Sequence, residues 1–446
     1  MKLVKLKDIC EFEKGSTGLA KAEPGEYPLV ATSAERKSSY TYQFDTKAVC
    51  IPLVSSTGHG HASLKKVHYQ EGKFALGSIL VALTTKDKDK LDIQFLHLYL
   101  SQLKDQVLVP LMSGAANVAL SVSKIHNIEI PLPSLEKQQE IVRKFKSIVR
   151  EEDELKSELN YQQILLKNLR QQILQEAVEG KLTAEWRANN PDVEPASELL
   201  KRIDAEKSQL INDKKIKLQK PQQLFREEER PFELPYGWLW CLLEDLSLTI
   251  HYGANKSANW NKNVVRLLRI TDIQRNKVDW ESVPGCGYSD GDLVSYGLSE
   301  NDILIARTGG TIGKSYIVKN LSVKSIFASY LIRIIPSRML NANYLKSFIE
   351  SPTYWLQLYE AAWGAGQPNV NGTNLKGLFV PLPSLPEQKA IVTKVEKLFA
   401  ICDQLEEQFN KNQFHAEQLM QAVLKEAFSQ NSNPQSTLNI LEEVGA

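Results

Sequence analysis

Residues 130–135 read Ile-Pro-Leu-Pro-Ser-Leu, and residues 380–385 read Val-Pro-Leu-Pro-Ser-Leu. The offset of 250 positions continues downstream, from Gln138 to Gln388 and from Glu176 to Glu426. It stays constant to the end of the repeat, so no insertion or deletion separates the two copies. One added residue in a helix would rotate everything beyond it by roughly 100° and move it by about 1.5 Å. We therefore predict two long helices of equal length, one in each half of the chain.

The residues after each proline motif carry a heptad pattern. Apolar side chains recur at alternating steps of three and four, with breaks at Glu152 and Gln162, which is typical of a coiled-coil seam. The first helix carries the chain from one half to the other, and the second has the same length in which to return. This topology favours antiparallel packing. The seam residues are Ile141, Phe145, Ile148, Leu155, Leu159, Leu166, Leu169 and Ile173 in the first copy, and Ile391, Val395, Leu398, Cys402, Leu405, Phe409, Ala416, Leu419 and Val423 in the second.

The composition is that of a soluble globular protein. Of the 446 residues, 42% are hydrophobic and 24% are charged, and the net charge of +1 identifies no class of partner. The five cysteines are scattered and never spaced as Cys-x-x-Cys, so neither a zinc ribbon nor a disulfide framework is indicated. No stretch resembles a secretory signal or approaches the ~18 apolar residues of a membrane span. We therefore expect a cytoplasmic protein with reduced thiols and no membrane contact.

Each half of the chain begins with a domain of short β-rich runs and glycine- or serine-rich turns, with one helix at 93–102 and another at 343–350. The predicted fold class is α+β, with two domains of mixed short strands and helices. Two long helices that form an antiparallel coiled coil separate these domains, in a pseudo-two-fold repeat. The predicted segments are a first domain at 1–130, a long helix at 131–180, a connector with a charged helix (196–215) at 181–230, a second domain at 231–380, a second long helix at 381–430 and a C-terminal tail at 431–446.

With these features in this order, the chain resembles the specificity subunit of type I restriction–modification systems. The shared elements include the proline motif with its following glutamine, Gly-Lys-Leu-Thr-Ala-Glu-Trp-Arg at 180–187 and Leu-Pro-Tyr-Gly-Trp at 234–238. The resemblance implies a non-catalytic protein whose two target recognition domains each read half of a split double-stranded DNA site. It also implies that the helices set the spacer and dock two methyltransferase (modification) subunits and, in the full enzyme, restriction (motor and nuclease) subunits. The segment 180–187 follows only the first helix, so we expect its contacts to be one-sided.

Candidate DNA contacts in the first domain lie in two loops. Residues 55–61 read Ser-Ser-Thr-Gly-His-Gly-His and precede two lysines, and a basic pair lies upstream at 36–37. Such donors suit phosphates and base edges. Two histidines one residue apart also raise the question of a metal, but no cysteine or carboxylate cluster completes a ligand set, and solvated loops are the competing interpretation. The candidates are Arg36, Lys37, Ser55, Thr57, His59, His61 and Lys65.

In the second domain, the turn at 309–315 reads Gly-Gly-Thr-Ile-Gly-Lys-Ser and follows a predicted strand. Arginine can grip guanine O6 and N7 together, and glycine lets backbone N–H groups approach a phosphate. A hairpin with surface charges is the alternative. Loops at 253–256 and 364–374 add further polar groups. The candidates are Lys256, Arg307, Thr308, Lys314, Gln367 and Asn369.

Catalytic motifs are missing or incomplete. The turn at 309–315 fails as a P-loop, because Thr308 stands where the first glycine is required. No Gly-x-Gly-x-x-Gly follows a strand and no Asn-Pro-Pro-Tyr-like motif occurs, so we expect no cofactor and no methyl transfer by this chain. Asp45 with Glu71-Gly72-Lys73 imitates a nuclease motif that often arises by chance. A stand-alone DNA nuclease and a protein-interaction adaptor without DNA binding are the alternatives.

Overall fold

The computed structural model describes residues 3–19, 22–33, 37–57, 61–114, 118–217, 230–260, 264–274, 276–308, 311–362 and 370–428. The chain divides into two compact units. Unit 1 contains the described residues within 1–160 and 410–446, and unit 2 contains those within 161–409. None of the described helices has an apolar stretch long enough to span a bilayer.

Unit 1 consists of short strands and short helices, followed by a long helix that continues into unit 2. Its strands are β1 (Leu3–Lys5), β2 (Cys10–Lys14), β3 (Tyr27–Val30), β4 (Lys37–Ser39), β5 (Phe44–Asp45), β6 (Ala48–Pro52), β7 (His68–Gln70), β8 (Lys73–Leu76), β9 (Leu80–Thr85) and β10 (Glu129–Pro131). Its helices are α1 (Leu6–Ile9), α2 (Ile93–Gln102), α3 (Lys104–Val107), α4 (Val122–His126) and the long α5 (Leu135–Val178), with a 3-10 turn at Val109–Leu111.

Unit 2 repeats this plan after two helices of the connector. The helices are α6 (Ala184–Ala188), α7 (Ala196–Asn212), α8 (Asp290–Tyr296), α9 (Ala342–Ile349), α10 (Pro352–Ala362), α11 (Gly372–Lys376) and α12 (Leu385–Phe428), with a 3-10 turn at Ile270–Asp272. The strands are β11 (Leu239–Leu242), β12 (Ser247–Tyr252), β13 (Ala258–Asn259), β14 (Arg266–Leu268), β15 (Ile273–Gln274), β16 (Lys277–Val278), β17 (Gly285–Cys286), β18 (Ile303–Ala306), β19 (Ser315–Ile317), β20 (Ser325–Phe327), β21 (Leu331–Pro336) and β22 (Phe379–Leu382).

The main sheet has the same topology in both units. Its order is β2-β9-β6-β7 in unit 1 and β12-β21-β18-β19 in unit 2, antiparallel throughout. A second sheet with one parallel pair adjoins it, β4-β3-β8-β5 and β13-β17-β14-β20 respectively. In each unit, a glycine lies at the equivalent point where two backbone segments approach closely. A Cβ at Gly15 would lie 2.1 Å from the carbonyl oxygen of Gly77, and one at Gly253 would lie 2.4 Å from that of Ala328. The repeat therefore extends through both domains, although their sequences differ.

A two-stranded ladder closes each domain. Strand β1 pairs antiparallel with β10, with Leu3 opposite Pro131, and β11 pairs antiparallel with β22, with Leu239 opposite Leu382. The strands that begin and end each domain therefore lie side by side, directly before the long helix.

The two long helices have 44 residues each, and their ends differ by the offset of 250. In unit 2, Arg170 of α5 contacts α12: its Nη2 lies 2.6 Å from Asp403 Oδ1 and its guanidinium stacks over the Phe399 ring. In unit 1, Leu155 and Leu159 of α5 line a small gap with Gln413 and Ala416 of α12. Lower numbers on α5 thus meet higher numbers on α12, so the predicted fold class with its antiparallel helix pair is confirmed.

Burial follows the seam in part. Leu159, Leu166 and Ile173 are buried, whereas Leu155 and Leu169, expected in the same seam, are 40% and 45% exposed. A strict heptad drifts by ~20° per repeat relative to a straight α-helix, so positions in one seam need not all face one partner.

A buried glutamine joins each long helix to its domain. Gln138 accepts from the backbone N–H of Asp92 at 2.8 Å and donates to the carbonyl oxygens of Lys90 and Pro133. Gln388 accepts from the backbone N–H of Asn341 at 2.9 Å and donates to the carbonyl oxygen of Pro383. Asp92 and Asn341 are themselves the N-caps of α2 and α9. Since both glutamines are fully buried, these bonds satisfy groups that water cannot reach.

Candidate nucleic-acid interface

Several first-domain candidates line one cleft in unit 1. The cleft has a volume of about 920 Å³ and lies between strands of the two sheets. Lys37, Ser55 and Lys65 line it, together with Lys66 and His68. The three lysines are exposed, so their charges remain in water and available to an anion. The structure thus brings together, from separate parts of the sequence, ammonium donors that suit a phosphate backbone.

A network of hydroxyl groups holds the loop at the cleft rim. Ser55 Oγ donates to the carbonyl oxygen of His61 at 2.6 Å, and Thr57 Oγ1 donates to the same oxygen at 3.2 Å. Both hydroxyls therefore use their protons within the loop, and Ser55 Oγ also accepts there from the backbone N–H of Ser63 at 3.2 Å. The His61 side chain is exposed. His59 and Arg36 lie outside the described residues.

Two histidines that the sequence did not single out lie at this part of unit 1: His68 lines the cleft, and the His97 ring lies 5.7 Å from that of Tyr69, another lining residue. Burial, with smaller contributions from Lys66 and His97, lowers the pKa of His68 to about 4. Burial also lowers the pKa of His97, whose Nε2 lies 3.1 Å from the carbonyl oxygen of Val67. Since a carbonyl oxygen only accepts, His97 Nε2 carries a proton. Both imidazoles are consequently neutral at pH 7, and the positive charge of the cleft comes from its lysines.

In unit 2, Arg307 lies directly after β18, and its guanidinium carbon lies 4.9 Å from the centre of the Tyr252 ring. Among the described residues, Arg307 Nε has no hydrogen-bond partner although the atom is buried. The Tyr252 hydroxyl accepts from the backbone N–H of Gly372 at 2.9 Å. Tyr330, whose carbonyl oxygen accepts from the Arg307 backbone N–H, is 64% exposed. An arginine held against an aromatic ring beside an exposed tyrosine can both donate to a base and stack.

The turn after Arg307 is a β-hairpin. Strands β18 and β19 pair antiparallel around it, and Gly313 adopts a φ of +76°. Thr308 and Lys314 are both exposed on this turn. A strand rather than a helix follows Lys314, so the backbone needed for a P-loop is absent from the described part of this turn.

The remaining second-domain candidates are more scattered. Lys256 pairs with Asp292 at 2.9 Å, and this contact, with hydrogen bonds from Ser289, lowers the pKa of Asp292 to about 2. The charge of Lys256 is thus partly neutralised by Asp292 in the first turn of α8. Gln367 and Asn369 lie outside the described residues.

Asp45 and Glu71, the carboxylates of the nuclease-like pattern, take part in ordinary surface contacts. Glu71 accepts from the Tyr69 hydroxyl at 2.8 Å and pairs with Lys47 at 3.2 Å, and Asp45 lies opposite Lys73 across the β5–β8 ladder. Within the described ranges, no three His, Cys, Asp or Glu residues come close enough to hold a metal ion. All five cysteines are free and buried.

A buried carboxylate that sequence reasoning missed organises the segment 180–187. Glu387, in the first turn of α12, accepts from Thr183 Oγ1 at 2.8 Å, from Arg187 Nε at 3.1 Å and from Trp238 Nε1 at 2.8 Å. The segments 180–187 and 234–238 therefore meet on one carboxylate, and we call this cluster the Glu387 clasp. At the equivalent position in unit 1 stands Lys137, which is exposed and pairs with Glu140. The clasp thus has no counterpart at Lys137.

Helix α5 also exposes apolar side chains in unit 2. Tyr161, Ile164, Leu165 and Leu169 are each between 45% and 58% exposed, and Ile401 and Leu405 of α12 are similarly uncovered. Contiguous exposed apolar side chains on a helix are typical of a surface that binds another protein.

Comparison with known proteins connects this geometry to one family. A family model described as "Type I restriction modification DNA specificity domain" matches residues 1–164 and 255–413. The EcoAI type I restriction enzyme specificity subunit of Escherichia coli is 35% identical over 247 residues, 53% of this chain and 40% of that protein. The EcoDI specificity subunit of Escherichia coli is 23% identical over 444 residues, 96% of this chain and 87% of that protein. The chain spans about two fifths of the EcoAI relative.

Two solved structures share the fold. The HsdS subunit from Thermoanaerobacter tengcongensis superposes with a TM-score of 0.54 at 16% identity, covering 96% of each chain. A structure described as the basis of complex assembly and conformational transition of the type I R-M system gives a TM-score of 0.60 at 16% identity, covering 97% of this chain and 98% of that one.

Proposed function

The chain belongs to the type I restriction modification DNA specificity family, and from this we propose that it is the sequence-reading subunit of a type I restriction–modification enzyme. Each of its two target recognition domains, 1–130 and 231–380, reads one half of a bipartite double-stranded DNA target. The observation that carries the proposal is the duplicated sheet framework with different donor groups at its surface: lysines around a cleft in unit 1, and an arginine against tyrosines in unit 2.

Catalysis belongs to the partners. The chain supplies neither the methyl donor nor the reacting groups, so two modification subunits transfer methyl groups and restriction subunits translocate and cut. The exposed apolar stretch of α5 around Ile164 and Leu165 supports the docking of such a partner, since it would otherwise leave apolar area in water.

The long helices set the spacer between the half-sites. Each helix of 44 residues is roughly 66 Å long at 1.5 Å per residue. That length is comparable to ~19 base pairs at 3.4 Å each. The equal length of α5 and α12, and the Arg170 contacts between them, support a spacer of fixed length.

Reconstitution tests the proposal. The chain is mixed with its modification subunit and S-adenosylmethionine, and methylation is mapped on a library of random duplexes. We expect methylation only within one bipartite motif, and none by the chain alone. Methylation without sequence preference, or cleavage of DNA by the purified chain with Mg²⁺, would contradict the proposed function. A complex that forms but shows no salt-dependent DNA affinity would favour an adaptor instead.

A further inference from the structure

The backbone hydrogen bonds show that Arg307 in unit 2 and Leu53 in unit 1 occupy equivalent positions of the duplicated sheet framework. The N–H of Leu53 donates to the carbonyl oxygen of Ile79 at 2.9 Å, and the N–H of Arg307 donates to that of Tyr330 at 3.0 Å. The Leu53 carbonyl oxygen accepts from the N–H of Leu120 at 2.9 Å, and the Arg307 carbonyl oxygen accepts from that of Val370 at 3.2 Å. Both residues are thus the first after the same strand, β6 in unit 1 and β18 in unit 2.

Two neighbouring positions correspond in the same way. Lys14 ends β2 opposite Val81, and Tyr252 ends β12 opposite Ile332. The next residue in each unit is the glycine that has a close backbone contact. The N–H of Gly15 donates to the carbonyl oxygen of Leu80, the first residue of β9, and the N–H of Gly253 donates to that of Leu331, the first residue of β21. Ile79 and Tyr330 directly precede those strands. The three equivalent pairs are Lys14 with Tyr252, Leu53 with Arg307, and Ile79 with Tyr330.

The side chains at these positions differ in chemistry. In unit 1, Leu53 and Ile79 are partly buried and pack against the cores of the domain. In unit 2, Tyr252 and Tyr330 are exposed and Arg307 lies over the Tyr252 ring. The Gly372 N–H fixes the Tyr252 hydroxyl, and the ring in turn restricts the guanidinium. A restricted guanidinium whose Nε has no hydrogen-bond partner among the described residues is suited to bidentate bonds to guanine O6 and N7.

We propose that this framework position is where unit 2 reads a guanine with Arg307, that Tyr252 is its positioning residue, and that unit 1, with Leu53 there, reads its half-site without an equivalent contact. The inference rests on the proposed function, and it adds which residue discriminates, which base it selects and why the two half-sites differ. The exposed face of Tyr330 flanks the same point and is available to stack beside the contacted base pair.

The test uses the chain assembled with its modification subunit. Binding is measured to the natural target and to duplexes in which each base pair of each half-site is replaced in turn. The variants are Arg307→Lys, Arg307→Ala, Tyr252→Phe and Tyr252→Leu, with Lys14→Leu as the matched control at the equivalent position of unit 1. Thermal melting verifies that each variant folds.

For Arg307→Ala, we expect the preference for guanine to fall by about 5- to 150-fold at one position of one half-site, the discrimination of a single bidentate contact. Arg307→Lys, which lacks the planar fork, should reduce the preference at the same position by less. The other half-site should keep its full preference. Tyr252→Leu should reduce the preference for guanine at the same position, whereas Tyr252→Phe, which keeps the ring, should retain most of that preference. Lys14→Leu should leave that position unchanged.

A uniform loss of affinity across all duplexes would make Arg307 a phosphate contact and overturn the inference. Loss at positions in both half-sites would overturn it as well, as would equal effects of Tyr252→Phe and Tyr252→Leu. If the unaltered complex shows no sequence preference, the proposed function itself fails, so the two failures are distinguishable.

Discussion

The indole N–H of Trp238 donates a hydrogen bond of 2.8 Å to the carboxylate of Glu387, which lies 149 positions further along the chain. Thr183 and Arg187 share the same carboxylate, so the connector, the start of the second domain and the first turn of α12 are joined at one buried charge. Gly180, with a φ of +73°, is required nearby, because a Cβ there would lie 2.7 Å from the Pro235 ring.

Replacing Glu387 by alanine is expected to destabilise unit 2 by about 3–5 kcal/mol, because the partly buried guanidinium of Arg187 would keep its bond to the Gly180 carbonyl oxygen but lose its carboxylate partner. Urea denaturation followed by tryptophan fluorescence measures this, since Trp238 is part of the clasp. The control is Lys137→Ala at the equivalent, exposed position of unit 1, which should change stability by less than ~0.5 kcal/mol. Equal effects of the two substitutions would refute the structural role of the clasp.

Substituting the buried glutamines should weaken each unit separately. Gln138→Ala leaves the N–H of Asp92 and two carbonyl oxygens without partners, and Gln388→Ala does the same to Asn341 and Pro383. Each is expected to cost about 1–3 kcal/mol. Hydrogen exchange read at α2 and α9 would show loss of protection only in the altered unit. Gln139→Ala, one residue away and exposed, serves as the control.

Acid should destabilise unit 1 through His68. The pKa of His68 is about 4 in the folded chain, below its ordinary value of 6.5, chiefly because of burial. Between those pH values the unfolded chain takes up a proton that the folded chain excludes, so stability falls as the pH drops from 6.5 towards 4. His68→Gln should lose less stability between pH 7.5 and pH 5.0 than the unaltered chain, as measured by thermal melting. Parallel losses in both proteins would speak against this assignment.

The cleft lysines should act on affinity rather than on sequence choice. Lys65→Ala and Lys66→Ala are each expected to reduce the slope of log affinity against log salt by about 1 and to weaken all duplexes alike, because a phosphate contact is lost. Titrations between 50 and 200 mM salt, about the range over which such slopes are resolved, would measure this. Lys104→Ala, on α3 and paired with Asp105, should leave the slope unchanged.

Shortening both helices should shorten the spacer. Since Leu155 and Leu159 of α5 line one gap with Gln413 and Ala416 of α12, the matched heptads are residues 155–161 and 412–418. Deleting both keeps the seam in phase and removes about 10 Å, or ~3 base pairs. Both half-sequences should persist in a methylation map while the gap between them contracts. Deleting one heptad alone should abolish methylation, because α5 and α12 would lose their register in unit 1. An unchanged gap in an active double deletion would show that the helices do not measure it.

Local patterns predicted much of the fold. The helix expected at 93–102 is α2, and the heptad runs became two helices of equal length, because hydrophobic period and proline placement act within a few residues. The charged helix expected at 196–215 ends at Asn212, where Lys214 adopts a φ of +56°. Of the β-rich run at 77–83, only the part from Leu80 onward forms strand β9, because Gly77 bonds instead to Val30 across the sheets.

Contacts between residues that are distant along the chain could not be predicted from a single sequence. Nothing near Glu387 signals that Trp238 and Arg187 will meet it, and nothing near Arg307 signals that Tyr252 will lie under its guanidinium. Of the candidate contacts, Lys37, Ser55 and Lys65 come together in one cleft, because strands separated in sequence are adjacent in the sheets. Whether these residues bind DNA stays a prediction.

The paired strands at the base of each domain have a consequence for inheritance. Because β1 lies against β10 and β11 against β22, the backbone enters and leaves each domain through two neighbouring strands. Segments between Lys5 and Glu129 can lengthen, shorten or be exchanged without shifting the first turn of the helix that follows, provided that the bonds of Lys90 and Asp92 to Gln138 are kept. Under the proposed function, recombination at the ladder would replace one domain and so change one half of the DNA target, while the other half-site, the spacer and the partners stay the same.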